Sequence, residues 1–418
     1  MHNDPLFAGL DLGTSGVRAC LTDSSDAIVA FASVRFKGDI RDPAQWWFAA
    51  SSALRAALAK VDPLRVMALS VDGTSGTMLP VDAQANPLCP ASMYNDPCPH
   101  SAILACISAH APVESAAHGA TSGLARALVF QSIPGVTRVM HQADWIASQF
   151  SGLTCSDENN ALKTGYDPVT GRWPDWLDAC GMNMDLLPAI HPPGTAIGQI
   201  TQLAATTFGL SPRVRIVAGT TDGCASFLAT GAGMAGEAVT ALGTTLTLKL
   251  LSDRPIFSPE FGVYSHKILG KWLAGGASNT GGAALLAHFT AQDIATLSSG
   301  IDLRTPSPYS YYPLVRPGER FPVADPDLAP ILSPRPALDA DFLKGLLDGI
   351  ARIEAQGYTR LVTLGAPPLV SVRSVGGGAR NAAWTALRQM RLRVPMLDVA
   401  SDEAALGAAR LARIGAQA

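Results

Sequence analysis

The segment "GLDLGTSGVRACLTD", Gly9–Asp23, places a carboxylate inside an otherwise apolar strand, next to a glycine-flanked turn of hydroxyl residues. Side chains alternate between the two faces of a strand, so Gly9, Asp11 and Gly13 share the face opposite the neighbouring leucines. Because glycine has no side chain, this pattern predicts open space for a ligand around the Asp11 carboxylate.

The turn Gly13–Gly16 can direct several backbone N–H groups inward, and Thr14 and Ser15 add hydroxyl groups. This combination suits phosphate oxygens. An acidic residue beside a phosphate site generally needs a bridging cation, and Mg²⁺ prefers one or two carboxylates together with phosphates and water. We therefore predict a magnesium ligand in Asp11 and a phosphate-binding turn beside it. The alternative is a polar residue that is satisfied near a sheet edge.

A second segment repeats this pattern. "LDLGTSGVRACL", Leu10–Leu21, resembles "TALGTTLTLKLL", Thr240–Leu251, and each reads as strand, turn and strand. Aligning Gly13 with Gly243 puts Ala241 at the position of the aspartate. We predict two phosphate-binding hairpins of which only the first holds a metal, with a pair of purely structural hairpins as the alternative.

Two further motifs follow predicted strands. "AGTTDG", Ala218–Gly223, places Asp222 at a strand end, where a carboxylate can accept a hydroxyl proton as general base. The alternative for this residue is an N-cap of the following helix. "VGGGARN", Val375–Asn381, is a glycine turn whose backbone can pack closely against a planar ring or a ribose. Trp384 could cover a base there, or it could be a core residue beside a tight turn.

The elements around these motifs indicate an α/β fold. Period-two alternation predicts three strands before Asp42, which is followed by a proline as expected for an N-capped helix. A strand after that helix indicates a mixed sheet. Two similar halves predict a duplicated fold with a cleft between two lobes. The proline-rich stretch 315–339 is predicted to be a long surface connection.

Composition excludes several classes of function. The 418 residues carry a net charge of −3 without long Lys/Arg runs, which argues against nucleic acid or an anionic membrane as the main partner. Neither a signal-peptide pattern nor a membrane span is expected. The seven scattered cysteines predict reduced thiols in a cytoplasmic protein, and no His/Cys spacing suggests a zinc site. The P-loop and Rossmann fingerprints are both missing.

Seven motifs in this order resemble the FGGY carbohydrate kinases over nearly the whole chain: "GLDLGTSGVRA", "SVDGTSGTMLPVD", "YND", "SDENNALKTGYDPVTGRWPDWL", "AGTTDG", "ALGTTLTL" and "GGGARNAAW". The resemblance implies the actin/hexokinase-like (ribonuclease-H-like) α/β fold, duplicated in two lobes with a nucleotide cleft between them. We expect an N-terminal sugar-binding lobe at 1–226, joined by a helix at 400–418, and a C-terminal nucleotide-binding lobe at 227–399. The short length and "SVDGTSGT" are most similar to the compact D-ribulose kinase and xylulose-kinase-like branch.

The resemblance implies an ATP-dependent and Mg²⁺-dependent kinase for a small sugar, with D-ribulose as the first expectation. The alternatives are D-xylulose or another sugar or polyol, an actin- or chaperone-like ATPase, and a sugar-sensing pseudo-kinase. Asp11 would hold Mg²⁺–ATP, Thr14 would contact the transferring phosphoryl group, and Asp222 would be the general base. The other implied site residues are Asp72, Ser75, Asn95 and Asp96 for the sugar, Gly13, Ser15, Gly243 and Thr244 for the phosphates of ATP, and Gly376, Gly377, Asn381 and Trp384 for adenosine.

One departure concerns the "ND" element. Related kinases commonly carry an arginine shortly after it, whereas this chain continues Asn95-Asp96-Pro97-Cys98-Pro99. The sequence therefore leaves the identity of the sugar open.

Overall fold

The computed structural model describes residues 4–305 and 307–417; residues 1–3, 306 and 418, which fall within the predicted lobes, lie outside this description. The described residues form sixteen strands. The strands are β1 Leu6–Leu12, β2 Gly16–Thr22, β3 Ile28–Arg35, β4 Val66–Gly73, β5 Met78–Val81, β6 Arg138–His141, β7 Cys155–Asp157, β8 Ala189–His191, β9 Ala196–Gln199, β10 Arg215–Thr221, β11 Glu237–Leu242, β12 Leu246–Ser252, β13 Tyr264–Ile268, β14 Lys271–Ser278, β15 Ser371–Val375 and β16 Met396–Leu397.

Thirteen α-helices alternate with these strands in the described part of the chain. The helices are α1 Pro43–Leu58, α2 Ser101–His110, α3 Gly123–Phe130, α4 Gln142–Ser151, α5 Glu158–Ala161, α6 Trp176–Ala179, α7 Gln202–Phe208, α8 Asp222–Ala229, α9 Gly282–Leu286, α10 Ala291–Ser298, α11 Asp339–Thr363, α12 Ala382–Leu392 and α13 Ala404–Gln417. Over residues 4–305 and 307–417, none of them combines the length and apolar character needed to cross a membrane.

Contacts divide the chain into two compact units. The first comprises the residues up to Ala229, the short piece His266–Gly270 and the residues from Glu403 onward. The second comprises Thr230–Ser265 and Lys271–Asp402. Each unit is built on a six-stranded mixed sheet, which confirms the α/β class predicted from the sequence.

The first unit has the strand order β3-β2-β1-β4-β10-β9. The chain enters it as the predicted antiparallel meander, after which β4 adds in parallel beside β1 and β10 adds in parallel beside β4. The Asp42 side chain accepts a hydrogen bond from the Ala44 N–H, and Pro43 occupies the first turn of α1, as its type predicts. This helix buries Trp46 in the main core of the unit, on one face of the sheet.

Helix α13 covers the face of the sheet that was predicted to be open at Gly9. A Cβ atom on Gly9 would lie 2.1 Å from the Ala405 carbonyl oxygen and 2.3 Å from the Ala409 nitrogen. At Gly9 the missing side chain therefore admits helix backbone and leaves no room for a ligand, whereas the predicted ligand space around the Asp11 carboxylate stays a prediction. The same close packing occurs at Gly407, whose Cβ would lie 2.0 Å from the Ala225 carbonyl oxygen.

The middle of the first unit forms a small subdomain beside the sheet. Strands β5 and β6 pair with each other in a separate two-stranded sheet. Helices α2, α3 and α6 meet around a second apolar cluster that includes Ile107, Leu124 and Leu177. This cluster fixes α6, which lies at the end of the "SDENNALKTGYDPVTGRWPDWL" motif.

The second unit has the strand order β13-β14-β12-β11-β15-β16. Its hairpin β11/β12 has an antiparallel strand on one side and the parallel strand β15 on the other, as β1/β2 has in the first unit. The predicted duplication is therefore confirmed. A fully buried ion pair joins two helices of this unit, because the Arg388 guanidinium of α12 donates to the Glu354 carboxylate of α11 at 2.6 and 2.7 Å.

The sequence suggested that the proline-rich stretch 315–339 is a surface connection. In the structure, part of this stretch is buried in the second unit. Glu319 is 3% exposed and Phe321 is fully buried in the core of the second unit. The Glu319 carboxylate accepts hydrogen bonds from Ser278 at 2.5 Å and from Tyr312 at 3.0 Å. A carboxylate can be buried there because these donors replace the water that it loses.

Candidate active site

Three carboxylates lie at the carboxyl ends of three adjacent parallel strands in the first unit. Asp11 is the penultimate residue of β1, and its register partner on β4 is Asp72. Asp222 directly follows β10, in which Thr220 is paired with Asp72. The carboxyl ends of parallel strands are the edge at which open α/β sheets bind ligands.

The Asp11 carboxylate is buried and ion-paired. Arg18, its register partner on β2, donates from Nη1 to Oδ2 at 2.9 Å, and the Arg18 Nε also lies 3.4 Å from a Glu403 carboxylate oxygen. The Arg18 side chain is 37% exposed, whereas that of Asp11 is 5% exposed. Arg18 is a site residue that the sequence reasoning missed, although its place opposite Asp11 in the hairpin could have identified it.

Asp72 is fully buried, and within the described part of the chain no N–H group or hydroxyl donates to either of its oxygens; its polar neighbour is the Asp11 carboxyl. Burial, followed by the neighbouring Asp11 carboxylate and then Asp222, raises the pKa of Asp72 well above its usual range, and Arg18 opposes the shift. A buried carboxyl with two acidic neighbours requires a proton or a cation.

Asp222 begins helix α8, and its Oδ1 accepts a hydrogen bond from the Gly223 N–H at 2.6 Å. A carboxylate is favoured in this position because the first N–H groups of a helix carry partial positive charge. The two interpretations offered by the sequence, a general base and a helix-terminal residue, are thus compatible in one side chain.

A lysine that the sequence reasoning missed lies near Asp222. Lys163 belongs to a short 3-10 turn after α5. Burial lowers the pKa of Lys163, and the negative charge of Asp222 opposes this shift. A Cβ atom on Gly76 would lie 3.8 Å from the Lys163 Cδ and 3.6 Å from the Arg126 Nη1. The structure therefore brings the "DGTSG" turn, the predicted base and two cations together.

Arg126 of α3 anchors the loop that contains the "YND" element. Its guanidinium donates to five oxygens, namely Ser92 Oγ at 3.0 Å, Thr121 O at 2.8 Å, Ser122 O at 3.3 Å, Tyr94 O at 2.8 Å and Asp96 O at 2.9 Å. A guanidinium has five N–H donors, so the Arg126 donors are all used within the protein. An arginine from a distant helix thus positions the loop that lacks an arginine of its own.

Asn95 and Asp96 of the "YND" loop, which the sequence assigns to the sugar, are not fully buried. Asn95 is exposed, and Asp96 is half-buried. The Asp96 carboxylate accepts hydrogen bonds from the Arg41 Nη2 at 2.6 Å and from the Met93 N–H at 2.8 Å. Asp96 therefore already has partners on two sides, and a sugar contact by either residue stays a prediction.

The "DGTSG" turn is fixed by hydrogen bonds to Gln142, while several buried polar atoms close to it have no hydrogen-bond partner among the described residues. The Thr74 N–H and hydroxyl donate to the Gln142 Oε1 at 3.1 and 2.8 Å. Buried polar atoms without a hydrogen-bond partner among the described residues gather around it: Ser70 Oγ, Ser75 Oγ, His141 Nδ1 and Gln142 Nε2. Buried polar groups are nearly always hydrogen-bonded, so this concentration marks a place that a polar ligand could complete.

A cavity of about 690 Å³ opens in the second unit beside the β11/β12 hairpin. Five predicted residues line it: Gly243, Thr244, Gly377, Asn381 and Trp384. Gly376 lines a smaller neighbouring cavity of about 300 Å³ instead. The sequence reasoning missed the wall supplied by α10, which includes Ile294 and Ser298. A cavity of this size, mostly apolar with a few polar groups, is typical of a small-molecule site.

The backbone approaches closely at both glycine turns of this cavity. A Cβ atom on Gly282 would lie 2.7 Å from the Gly243 carbonyl oxygen, and one on Gly378 would lie 2.5 Å from the Trp384 ring. Trp384 is 2% exposed, so it forms part of the cavity floor, and its ring is mainly a core group. The Asn381 amide donates to Ser298 Oγ at 2.8 Å, and its oxygen accepts from the Trp384 N–H at 3.0 Å.

The turns of both repeated hairpins are exposed at their tips. Thr14 and Ser15 are exposed in the first, and Gly243 and Thr244 are exposed in the second. Exposed N–H and hydroxyl groups can serve as donors to phosphate.

The N-terminal domain model of the FGGY family of carbohydrate kinases matches residues 6–114 and 129–229, half of the chain. The chain therefore belongs to the FGGY family of carbohydrate kinases, as its motifs indicated, and is a carbohydrate kinase of a family that uses ATP.

The chain is 26% identical to the xylulose kinase of Escherichia coli (strain K12) over 449 residues, which covers 98% of this chain and 90% of that protein. It is 27% identical to the xylulose kinase of Klebsiella pneumoniae, with the same coverage of both. Its structure matches a crystal structure of a xylulose kinase from Rhodospirillum rubrum with a TM-score of 0.84 at 21% identity, covering 98% of this chain and 90% of that one. This likeness confirms the actin/hexokinase-like fold.

Proposed function

We propose that this protein transfers the γ-phosphoryl group of ATP to the terminal hydroxyl of a ketopentose. The observation that carries the proposal is the convergence of Asp11, Asp72 and Asp222 at adjacent strand ends in a chain of the FGGY family. The names of the relatives favour xylulose, and D-ribulose is the first expectation from the sequence, so both sugars are candidate substrates.

Asp222 is proposed as the general base. Its position at the end of β10 and its neighbour Lys163 place a carboxylate and a cation beside the incomplete "DGTSG" turn. Asp222 would accept the proton of the sugar hydroxyl as that oxygen attacks phosphorus. In phosphoryl transfer most of the acceleration comes from positioning and charge stabilisation, and the base has the smaller part.

The residues present fit a Mg²⁺ ion that arrives with ATP. The donor set at the β1 and β4 ends consists of carboxylates, which are ligands that Mg²⁺ prefers, and no N–H group or hydroxyl among the residues described donates to the buried Asp72 oxygens. Asp11 would hold the ion, as the sequence predicts, and Asp72, which the sequence assigns to the sugar, is its buried acidic neighbour on β4. When bound, Mg²⁺ neutralises charge on the β- and γ-phosphates of ATP.

The cavity of the second unit is proposed to take the adenosine of ATP. Gly377 has no heavy atom within 4 Å of the position of a Cβ, so its backbone leaves room beside the cavity. The apolar wall of α10, including Ile294, would contact one side of the base. Thr14 and Ser15 in the first hairpin, and Gly243 and Thr244 in the second, would donate to phosphate oxygens.

The sugar is proposed to bind at the "DGTSG" turn. Its hydroxyl groups would supply the partners that Ser75 Oγ, His141 Nδ1 and Gln142 Nε2 lack within the described chain. Lys163 would donate to a sugar oxygen next to the attacking hydroxyl. These contacts would place the terminal hydroxyl towards Asp222.

A coupled ADP-release assay on the purified protein tests the proposal, with ATP, Mg²⁺ and a panel of D-xylulose, D-ribulose, L-ribulose, glycerol and gluconate. We expect one ketopentose to have the highest kcat/KM, and Asp222→Asn to lower its kcat by roughly 10²–10⁴-fold. Full activity of Asp222→Asn would refute the base assignment. ATP hydrolysis that no sugar changes would instead support an ATPase function.

A further inference from the structure

We infer that the first unit carries a site for a thiophilic divalent metal such as Zn²⁺, formed by Cys106, His110 and Cys180. These three residues do not belong to the strand-end site and have no part in the proposed phosphoryl transfer. Their ligand atoms, two sulfurs and one imidazole nitrogen, all lie within 4.8 Å of one another. The sequence suggested no zinc site, because Cys180 is distant in sequence and only the fold brings it to the other two.

The fold holds the three ligands together through α2 and α6. Cys106 and His110 are one helical turn apart on α2 and so share one face of it. Cys180 caps the carboxyl end of α6, where its N–H donates to the Trp176 and Leu177 carbonyls. Ile107 and Leu177 of the apolar cluster pack the two helices against each other.

Each cysteine thiol already contacts the backbone of the other cysteine across this junction. The Cys106 Sγ donates to the Cys180 carbonyl at 3.7 Å, and the Cys180 Sγ donates to the Cys106 carbonyl at 3.7 Å. The His110 Nδ1 lies 3.7 Å from the Cys106 Sγ. Zn–S bonds of about 2.3 Å and Zn–N bonds of about 2.0 Å require ligand separations of about 3.5–3.8 Å in a tetrahedron. Small side-chain movements therefore suffice to bind the ion.

The ligand chemistry selects a soft or borderline metal. Thiolates and imidazole suit Zn²⁺, whereas Mg²⁺ prefers oxygen ligands. Two thiolates would balance the charge of a divalent ion at this site. His110 is exposed, so the fourth position faces water and can hold a solvent molecule. The His110 Nδ1 also lies 2.9 Å from the Cys106 carbonyl oxygen, a hydrogen bond that metal binding would replace.

Metal binding at this site would release protons. A bound metal requires the thiolate, and its affinity therefore rises with pH.

The test uses the full-length protein, reduced and freed of metal, with Zn²⁺ competed against a chromophoric chelator and Co²⁺ as a spectroscopic probe. We expect one Zn²⁺ per chain and a Co²⁺ complex with thiolate charge-transfer and tetrahedral absorption bands. Cys106→Ser and Cys180→Ser should each lower the Zn²⁺ affinity by at least about 100-fold. His110→Ala should weaken binding less than the loss of either cysteine.

Cys89→Ser and Cys155→Ser are matched controls, because both thiols are half-buried and lie outside the cluster. They should leave the stoichiometry and the Co²⁺ spectrum unchanged. Circular dichroism of each metal-free variant shows whether it is folded, so a folding defect is not read as lost binding. The inference is wrong if the reduced protein takes up no metal, if the control variants lose it equally, or if Cys106 and Cys180 form only a disulfide.

Discussion

Asp11 and Asp72 are register partners on the neighbouring parallel strands β1 and β4, and both carboxylates are buried at the same end of the sheet. Arg18 pairs with Asp11 at 2.9 Å, while no N–H group or hydroxyl within the described residues donates to the Asp72 oxygens. One guanidinium thus faces two carboxylates, and a third, Asp222, adds its negative charge to their surroundings. The buried Asp72 carboxyl, with two acidic neighbours and one guanidinium between them, therefore requires either a proton or a cation.

The first prediction concerns the metal dependence of turnover. Asp11→Ala should lower kcat/KM on the order of 10²–10³-fold, because a carboxylate that holds the charge-neutralising ion is removed. The sugar affinity measured by calorimetry without nucleotide should stay close to that of the unsubstituted protein. Titration of activity with Mg²⁺ should show a higher requirement for the ion.

Asp253→Ala is the control for that substitution. Asp253 is an exposed carboxylate that pairs with Lys271 at 2.8 Å, and its loss should change neither kcat/KM nor the Mg²⁺ requirement. Equal losses of sugar affinity and turnover in Asp11→Ala would contradict a role in metal binding.

The second prediction concerns Lys163. Lys163→Met keeps the apolar stem and removes the charged donor, so the sugar dissociation constant should rise roughly 10–100-fold, the value of a charge-assisted hydrogen bond. Calorimetry with the preferred ketopentose measures this constant, and the KM for ATP should change little.

Lys271→Met, at an exposed ion pair, is the matched control and should bind sugar normally. If Lys163→Met also bound sugar with unchanged affinity, the proposed contact between Lys163 and a sugar oxygen would be ruled out. A loss confined to kcat would instead point to a contact with the phosphoryl group.

The third prediction is a stability effect at Gly9. Gly9→Ala should destabilise the protein by about 3 kcal/mol or more, since its Cβ would lie 2.1 Å from the backbone of α13, which cannot move aside as a side-chain tip could. Urea unfolding followed by circular dichroism measures the change. Gly233→Ala is the control, because no heavy atom lies within 4 Å of its Cβ position. Equal stability of the two variants would show that α13 does not pack as described.

The fourth prediction concerns acid sensitivity. Burial, helped by the charges of Arg126 and Lys163, lowers the pKa of His141 from 6.5 to about 3. The unfolded chain therefore binds this proton at a higher pH than the folded protein does, and stability falls as the pH drops from 6.5 towards 3. At pH 5 His141 should lower the free energy of unfolding by about 2 kcal/mol relative to pH 8.

Replacing this side chain with a group that does not titrate should remove its share of the pH dependence. Urea unfolding of His141→Gln between pH 5 and 8 should show a shallower slope than that of the unsubstituted protein. His100→Gln, at an exposed position, should leave the slope unchanged. Identical slopes for His141→Gln and the parent protein would mean that His141 is not buried in its neutral form.

The sequence identified features that depend on a few consecutive residues. Asp42 with Pro43 predicted the start of α1, and period-two alternation predicted β1 to β3. The Leu-Gly-Thr repeat predicted both hairpins, and the ordered motifs identified the family. Caps, turns and alternation are short-range effects, so a sequence displays them directly. The preference for D-ribulose stays a prediction.

The tertiary structure decided everything that joins distant parts of the chain. It placed Asp72 beside Asp11 and let Arg126 donate hydrogen bonds to the "YND" loop. It also brought Cys180 next to Cys106 and His110 of α2. It also filled the space above Gly9 with α13, from nearly 400 residues away in sequence. The alternation of side chains along a strand gives the face of the sheet to which each side chain points. Only the packing of the whole sheet determines whether that face meets a ligand or a helix, because the partner is specified by burial and shape far along the chain.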